Sequence, residues 1–242
     1  MSDERLRQLE RKWRETGAVD DETALLVERM RVGNLARERL DIAAYCGNEA
    51  ARRVSGGADA GTDGAEWVLG LERFGVQHVV RALAFAAEEV LPIFEAEHES
   101  DLPRRTVQAV HAWCDCPCQE HFAAVMGDRG LGDMAGGTGT AWGPTDAVNQ
   151  AAWAADHAAA GVWMVEHFSQ PGATGGQPLG RLRQAASWLV EQFSESGPKH
   201  LRAKLIRPVD CVFKSLEFCG LPQDRATACM RSRLMQWALR ST

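Results

Sequence analysis

Apolar positions recur along this chain at three- and four-residue spacing, and alternating apolar/polar runs are almost absent. The clearest pattern starts at Val76. Val76, Val79, Val80, Leu83, Ala87, Val90, Leu91 and Phe94 fall on one stripe of a helix predicted over residues 76–98. Arg81, Glu88 and Glu95 are expected on the opposite face, and Pro92 is placed to kink the last turn. Ser100 or Asp101 then caps a new helix with Pro103 in its first turn, and this helix runs through Val107, Val110 and Trp113.

Shorter elements precede this pair. Residues 2–15 read as a charged helix with a thin apolar line, ended by Gly17. Asp20, Asn34 and Asn48 are candidate N-caps of three further helices. Gly33 and Gly47 are candidate stops for the first two of these. The glycine-rich stretch 55–64 is the clearest linker, so residues 1–54 are expected to form a small capped-helix module and residues 65–242 a larger bundle. Residues 65–74 read as one more helical stretch before Gly75. Residues 127–144 form a long glycine-rich loop. The alanine-rich helix that follows, capped by Thr145 or Asp146, is expected at the centre of the bundle, because alanine lets neighbouring helices approach closely. Three more helices are predicted near residues 179–193, 209–219 and 222–239. The basic stretch 197–208 reads as solvated surface. The expected fold class is all-α: a multi-helix bundle with a short capped-helix N-terminal module.

Composition sharpens this picture. Ala, Leu, Arg and Glu are abundant, and one tyrosine stands beside eight tryptophans, a balance that favours helix over sheet. A hydrophobic fraction of 45% is enough for a buried core. The net charge is −6 and basic runs are short, so no nucleic-acid footprint is expected. No stretch approaches the roughly 18 apolar residues of a membrane span. The opening residues are charged and lack an apolar signal segment, so the expectation is a cytoplasmic protein with reduced cysteines. No G-x-x-x-x-G-K-[ST], G-x-S-x-G, H-E-x-x-H or Rossmann glycine pattern occurs, and no enzymatic activity and no cofactor are expected.

One stretch carries candidate chemistry. "WCDCPCQEH", residues 113–121, holds three cysteines within five residues and a histidine three residues later. Pro117 breaks any helix through it and disfavours helical torsions at Cys116. The first helix is expected to stop near Cys114. A second is expected to start with Asp115 or Cys116 as cap, carrying Cys118, Phe122 and Val125 on one buried stripe. Three readings follow. The first is a tight helix–helix corner built from small buried cysteines. The second is a metal site, zinc by its ligand types, using Cys116, Cys118 and His121. The third is a reactive thiol, with Cys116 lowered in pKa by the helix N-terminus. Other positions have plainer readings. Glu95 and His98 read as a solvated helix end, Asp156 and His157 as a satisfied polar pair, and Cys211, Cys219 and Cys229 as core. Trp142, in the glycine-rich loop, is the candidate protein-binding residue, because a loop tryptophan has the least packing reason to exist.

The stretches "FEAEHESDLPRRTVQAVHAW" and "NQAAWAADHAAAGVW" resemble the immunity-protein family of bacterial polymorphic-toxin systems. The likeness covers about residues 76–168 and rests on the D-x-P-R turn at Asp101–Arg104, the helix ending in Trp113 and the alanine-rich helix. It implies a protein that neutralises a partner, such as a cognate toxin, by steric blocking, and it brings no catalytic residues. The expected function is therefore non-catalytic protein binding. The alternatives are a helical adaptor or scaffold in a bacterial defence or signalling complex, and a thiol- or zinc-dependent protein using the cysteine block. The expected partner is another protein, with no nucleic acid and no membrane.

Overall fold

The computed structural model describes residues 2–57, 64–127, 147–169 and 201–240. Among them are eleven α-helices, one 3-10 turn and no strand, so the chain is an all-α multi-helix protein. The predicted helix near 179–193, the glycine-rich loop and Trp142 lie outside the described residues. No helix among the described residues is long and apolar enough to cross a membrane.

Contacts divide the chain into two units. One joins Met1–Thr62 to Ala228–Thr242, and the other is Asp63–Thr227. The sequence division assigned residues 228–242 to the larger bundle. The boundary instead falls inside the last helix.

The smaller unit begins with α1 (Ser2–Thr16), α2 (Val19–Arg31), α3 (Arg37–Tyr45) and α4 (Glu49–Ser55). Ion pairs Lys12–Asp21 at 2.7 Å and Arg5–Glu28 at 3.6 Å set α1 and α2 antiparallel about the turn at Gly17. Of the three proposed caps only Asn48 acts as one, its side-chain oxygen accepting from the Ala51 N–H at 2.7 Å. Helix α2 starts at Val19 behind Ala18, and α3 at Arg37 behind Ala36, with no side-chain cap bond at either. Asp20 lies inside α2 and takes Arg53 at 2.6 Å. The unit's core is Leu25, Leu26, Leu35, Leu40, Ile42 and the alanines around them. The last helix, α11 (Gln223–Leu239), closes it. The Arg29 guanidinium donates to the Leu239 carbonyl at 2.8 Å, and Arg39 lies 4.6 Å over the Trp237 ring.

The larger unit holds α5 (Gly64–Gly70), the 3-10 turn Leu71–Phe74, α6 (Val76–Glu95), α7 (Leu102–Asp115), α8 (Gln119–Gly127), α9 (Ala147–Ser169) and α10 (Leu201–Phe218). The alanine-rich α9 is central, as its composition predicts. It packs on α6, α7, α8 and α10, with Ala151, Ala154, Ala155, Ala158 and Ala159 buried. At Gly161 the approach to α6 is close: a Cβ there would lie 3.2 Å from a methyl of Val80.

Two expectations fail here for reasons of packing. Arg81 is not on a solvated face of α6; its side chain is 2% exposed and pairs with Asp115 at 2.8 Å. Helix α10 does not wait for Val209. It runs through Pro208 from Leu201, so part of the basic stretch is helix, and Leu205 and Val209 are both buried one turn apart.

Candidate functional site

The cysteine block sits where α7 ends and α8 begins. Helix α7 buries Pro103, Thr106, Val107, Val110, Trp113 and Cys114, the i, i+3, i+4, i+7 stripe that its sequence predicts. The Trp113 indole N–H donates to Glu166 of α9 at 2.9 Å. Cys114 is turned into α6, where its thiol donates to the Gln77 carbonyl at 3.4 Å. Burial pushes its pKa up to about 12, so it is a packed thiol outside the cluster.

Past Asp115 the chain leaves the helix. Cys116 is extended, with φ −143 and ψ 91, as a residue before proline should be. Helix α8 then starts at Gln119, two residues later than the proline pattern suggests. Pro117 and Cys118 lie ahead of it, and neither Asp115 nor Cys116 caps it. The Cys116 carbonyl accepts the Cys118 N–H at 2.7 Å, and the Cys118 carbonyl accepts the Phe122 N–H at 2.9 Å. This tight turn folds the two thiols back towards the first turn of α8, where His121 projects.

The three side chains meet. One ligand atom from each of Cys116, Cys118 and His121 lies within 4.8 Å of the others. His121 Nδ1 is 3.3 Å from Cys118 Sγ and 2.9 Å from the Cys116 carbonyl, to which it donates when it carries a proton. Cys116 is exposed, while Cys118 and His121 are half-buried. Cys118 is therefore not the core residue that the apolar stripe suggests; on that stripe Val125 is buried and Phe122 half-buried.

The electrostatics reverse another expectation. The thiol held below the ordinary cysteine range is Cys118, not Cys116. The backbone N–H of His121 points at its sulfur, and the Cys116 thiol and the imidazole add to this. Cys116 is raised, because its thiol bonds to the Cys118 sulfur and a second thiolate beside the first is unfavourable. His121 is raised by the Cys116 carbonyl and then by Cys118. The arrangement is two cysteine side chains and an imidazole converging at a helix start, Cys118 the more acidic of the two thiols. Such a group binds soft cations and, free of them, offers one nucleophilic sulfur.

The other candidates stay apart from this cluster. His111 pairs with Glu88 at 3.3 Å and lies against the Phe85 ring. Glu95 takes Arg104, and His98 stacks on Phe94 at 4.6 Å. Asp156 and His157 are half-buried, with the His157 ring edge-on to Trp153 at 6.0 Å. Cys211, Cys219 and Cys229 are half-buried rather than core, and none of the seven cysteines is in a disulfide.

Sequence reasoning missed a second surface, on the α1–α2 pair. Leu6, Leu9 and Trp13 form one stripe of α1 at i, i+3, i+7 spacing. Leu6 and Leu9 are only half-buried, and Trp13 stays 36% exposed. Val27 on α2 is 49% exposed. The thin apolar line was visible in the sequence; that α2 would leave it partly uncovered was not.

Comparison with protein-family models, curated proteins and solved structures finds no match for this chain.

Proposed function

We propose that this protein works by binding another protein and performs no chemistry on it, in the manner of an immunity-type or conflict-system accessory protein that covers its partner's working surface. What supports the reading is the apolar line of α1. A helix this polar draws most of its stability from the face that it packs, and here that face is only half covered within its own unit. A partner that buries Leu6, Leu9 and Trp13 gains apolar contact and a tryptophan anchor, the residue type that most often dominates binding energy. The partner's chemistry follows from the charge of the chain. At net −6 it attracts a basic protein, and long-range attraction speeds encounter.

The test is co-purification from the native host with the tagged full chain as bait, beside a Leu9→Ser/Trp13→Ser variant whose helical circular dichroism matches the wild type. A stoichiometric partner held by the wild type and lost by the variant is the expected result. A partner held equally by both removes α1 as the binding face. No partner with either bait overturns the protein-binding reading. The isolated partner then separates the two forms of this function. If its own activity stops when the protein binds, the role is immunity-type blocking; if it continues, the protein is an adaptor or scaffold.

A further inference from the structure

We propose that Cys116, Cys118 and His121 are the protein ligands of a zinc site that staples the end of α7 to the first turn of α8. The inference stands on geometry and is independent of any partner.

Zinc–sulfur bonds of about 2.3 Å and zinc–nitrogen bonds of about 2.0–2.1 Å place tetrahedral sulfur–nitrogen pairs about 3.5 Å apart and sulfur–sulfur pairs about 3.8 Å apart. The Cys118 sulfur and His121 Nδ1 already lie at 3.3 Å, and all three ligand atoms fall within 4.8 Å. Closing the widest pair asks for about 1 Å, which a rotation of the exposed Cys116 side chain can supply. Nδ1 is the ring nitrogen facing the sulfurs, so it is the ligating atom. On binding it exchanges its proton, and its contact with the Cys116 carbonyl, for the metal. Two sulfurs and one imidazole nitrogen select a soft or borderline cation over magnesium or calcium, whose preferred ligands are oxygens.

The local chain is built in the way such a site needs. Pro117 forces the helix break that lets Cys116 and Cys118 face one point; in a continuous helix, residues two apart point to different sides. His121 reaches the same point because it stands in the first turn of α8. The neighbouring Cys114 is kept out by its bond to Gln77 on α6. The cluster has three members among the described residues. A tetrahedral ion has a fourth position, and on the solvent side of Cys116 water reaches it.

The site also has something to hold. Helix α8 fully buries one residue, Val125. One buried valine offsets only a small part of the conformational entropy lost in ordering the nine residues of the helix. A metal that ties Cys116, outside the helix, to His121, inside it, anchors α8 at its weak end, because binding free energy then counts as folding free energy.

The test uses the full-length protein, stripped of metal and kept in a non-thiol reductant. Cobalt(II) is titrated as the probe, zinc is added to displace it, and the wild type is compared with Cys116→Ser/Cys118→Ser and His121→Gln. The expected result is one cobalt ion per chain, with thiolate charge-transfer absorbance and the intense visible bands of tetrahedral coordination, both removed by stoichiometric zinc. The double variant shows no charge-transfer band. His121→Gln binds at least about tenfold more weakly, since even residues behind the ligands cost that much when lost. Cys116 is exposed and Cys118 half-buried, so serine is tolerated at both, and matching circular dichroism establishes this. Hydrogen exchange gives a second readout: zinc slows exchange in α8 of the wild type and not of the double variant. A wild type without charge-transfer absorbance at saturating cobalt, or a double variant that binds zinc as well as the wild type, overturns the site.

Discussion

Glu28 is the most enclosed carboxylate among the described residues of the smaller unit, its side chain 3% exposed. Arg31 meets it with two hydrogen bonds, at 2.6 and 3.0 Å, and Arg5 stands at 3.6 Å. The Arg31 guanidinium holds the Glu28 carboxyl below its ordinary 4.5. A carboxylate whose pKa falls on folding binds fewer protons in the native state. Its contribution is therefore complete above the unfolded pKa and is lost as pH falls through the folded one. Denaturant midpoints of the wild type should drop steadily on acidification below about pH 5. A Glu28→Gln variant should be less stable near neutrality and show a flatter acid limb; an unchanged limb would refute the assignment. Arg81 poses the opposite case, a buried cation whose carboxylate partner, Asp115, is 62% exposed. Asp115→Ala is expected to cost about 1–3 kcal/mol, the range for a lost bond to a buried charge, whereas Asp115→Asn keeps an acceptor and costs less. Chemical denaturation of the two variants checks the order.

Among the elements, α9 and α6 pack closely at Gly161 and Val80. Two effects of similar size oppose each other there. Alanine is a better helix former than glycine by about 1 kcal/mol, while its Cβ would sit 3.2 Å from a valine methyl that can move a little. Gly161→Ala should thus change stability by less than about 1 kcal/mol. Gly161→Leu drives a long side chain into α6 and should cost about 1–3 kcal/mol. Equal midpoints for the two variants in urea would mean that the helices part without penalty. The same elements show what a sequence discloses. The stripe of α6 and the central place of α9 were legible, because apolar spacing and alanine content act locally. The width of the buried face was not. Helix α6 is covered by α5, α7, α9 and α10, and this wide cover takes in Arg81. The start of α10, at Leu201 rather than Val209, escaped the sequence for a related reason. An interior proline costs about 3 kcal/mol locally, yet burial of Leu205 and Val209 on either side carries the helix through it. The cluster at the α7–α8 corner was legible as residue types. Which thiol is the more acidic was not, since that depends on the His121 N–H pointing at Cys118 rather than Cys116.

At the scale of the molecule, the acidic balance makes a kinetic prediction. If the partner is basic, its association rate with this protein should fall as salt rises, while dissociation changes little. Stopped-flow rates that ignore ionic strength would separate the binding reading from its electrostatic part. The contact units bear on a different property. The smaller unit is made from the two ends of the described chain, residues 1–62 and 228–242, so the larger one is an insertion within it. During synthesis the ribosome releases α1 to α4 long before the strand of helix that completes their unit. Leu239 and Arg240 supply the carbonyls that Arg29 and Arg39 bond to, and Trp237 supplies the ring beneath Arg39. The first helices must therefore wait, incomplete, while the inserted unit emerges and folds. Nascent chains carrying a linker that leaves Thr227, but not residues 228–240, outside the exit tunnel should yield a protease-resistant larger unit and a digestible N-terminal segment. The segment should gain protection only once residues 228–240 have cleared the exit tunnel.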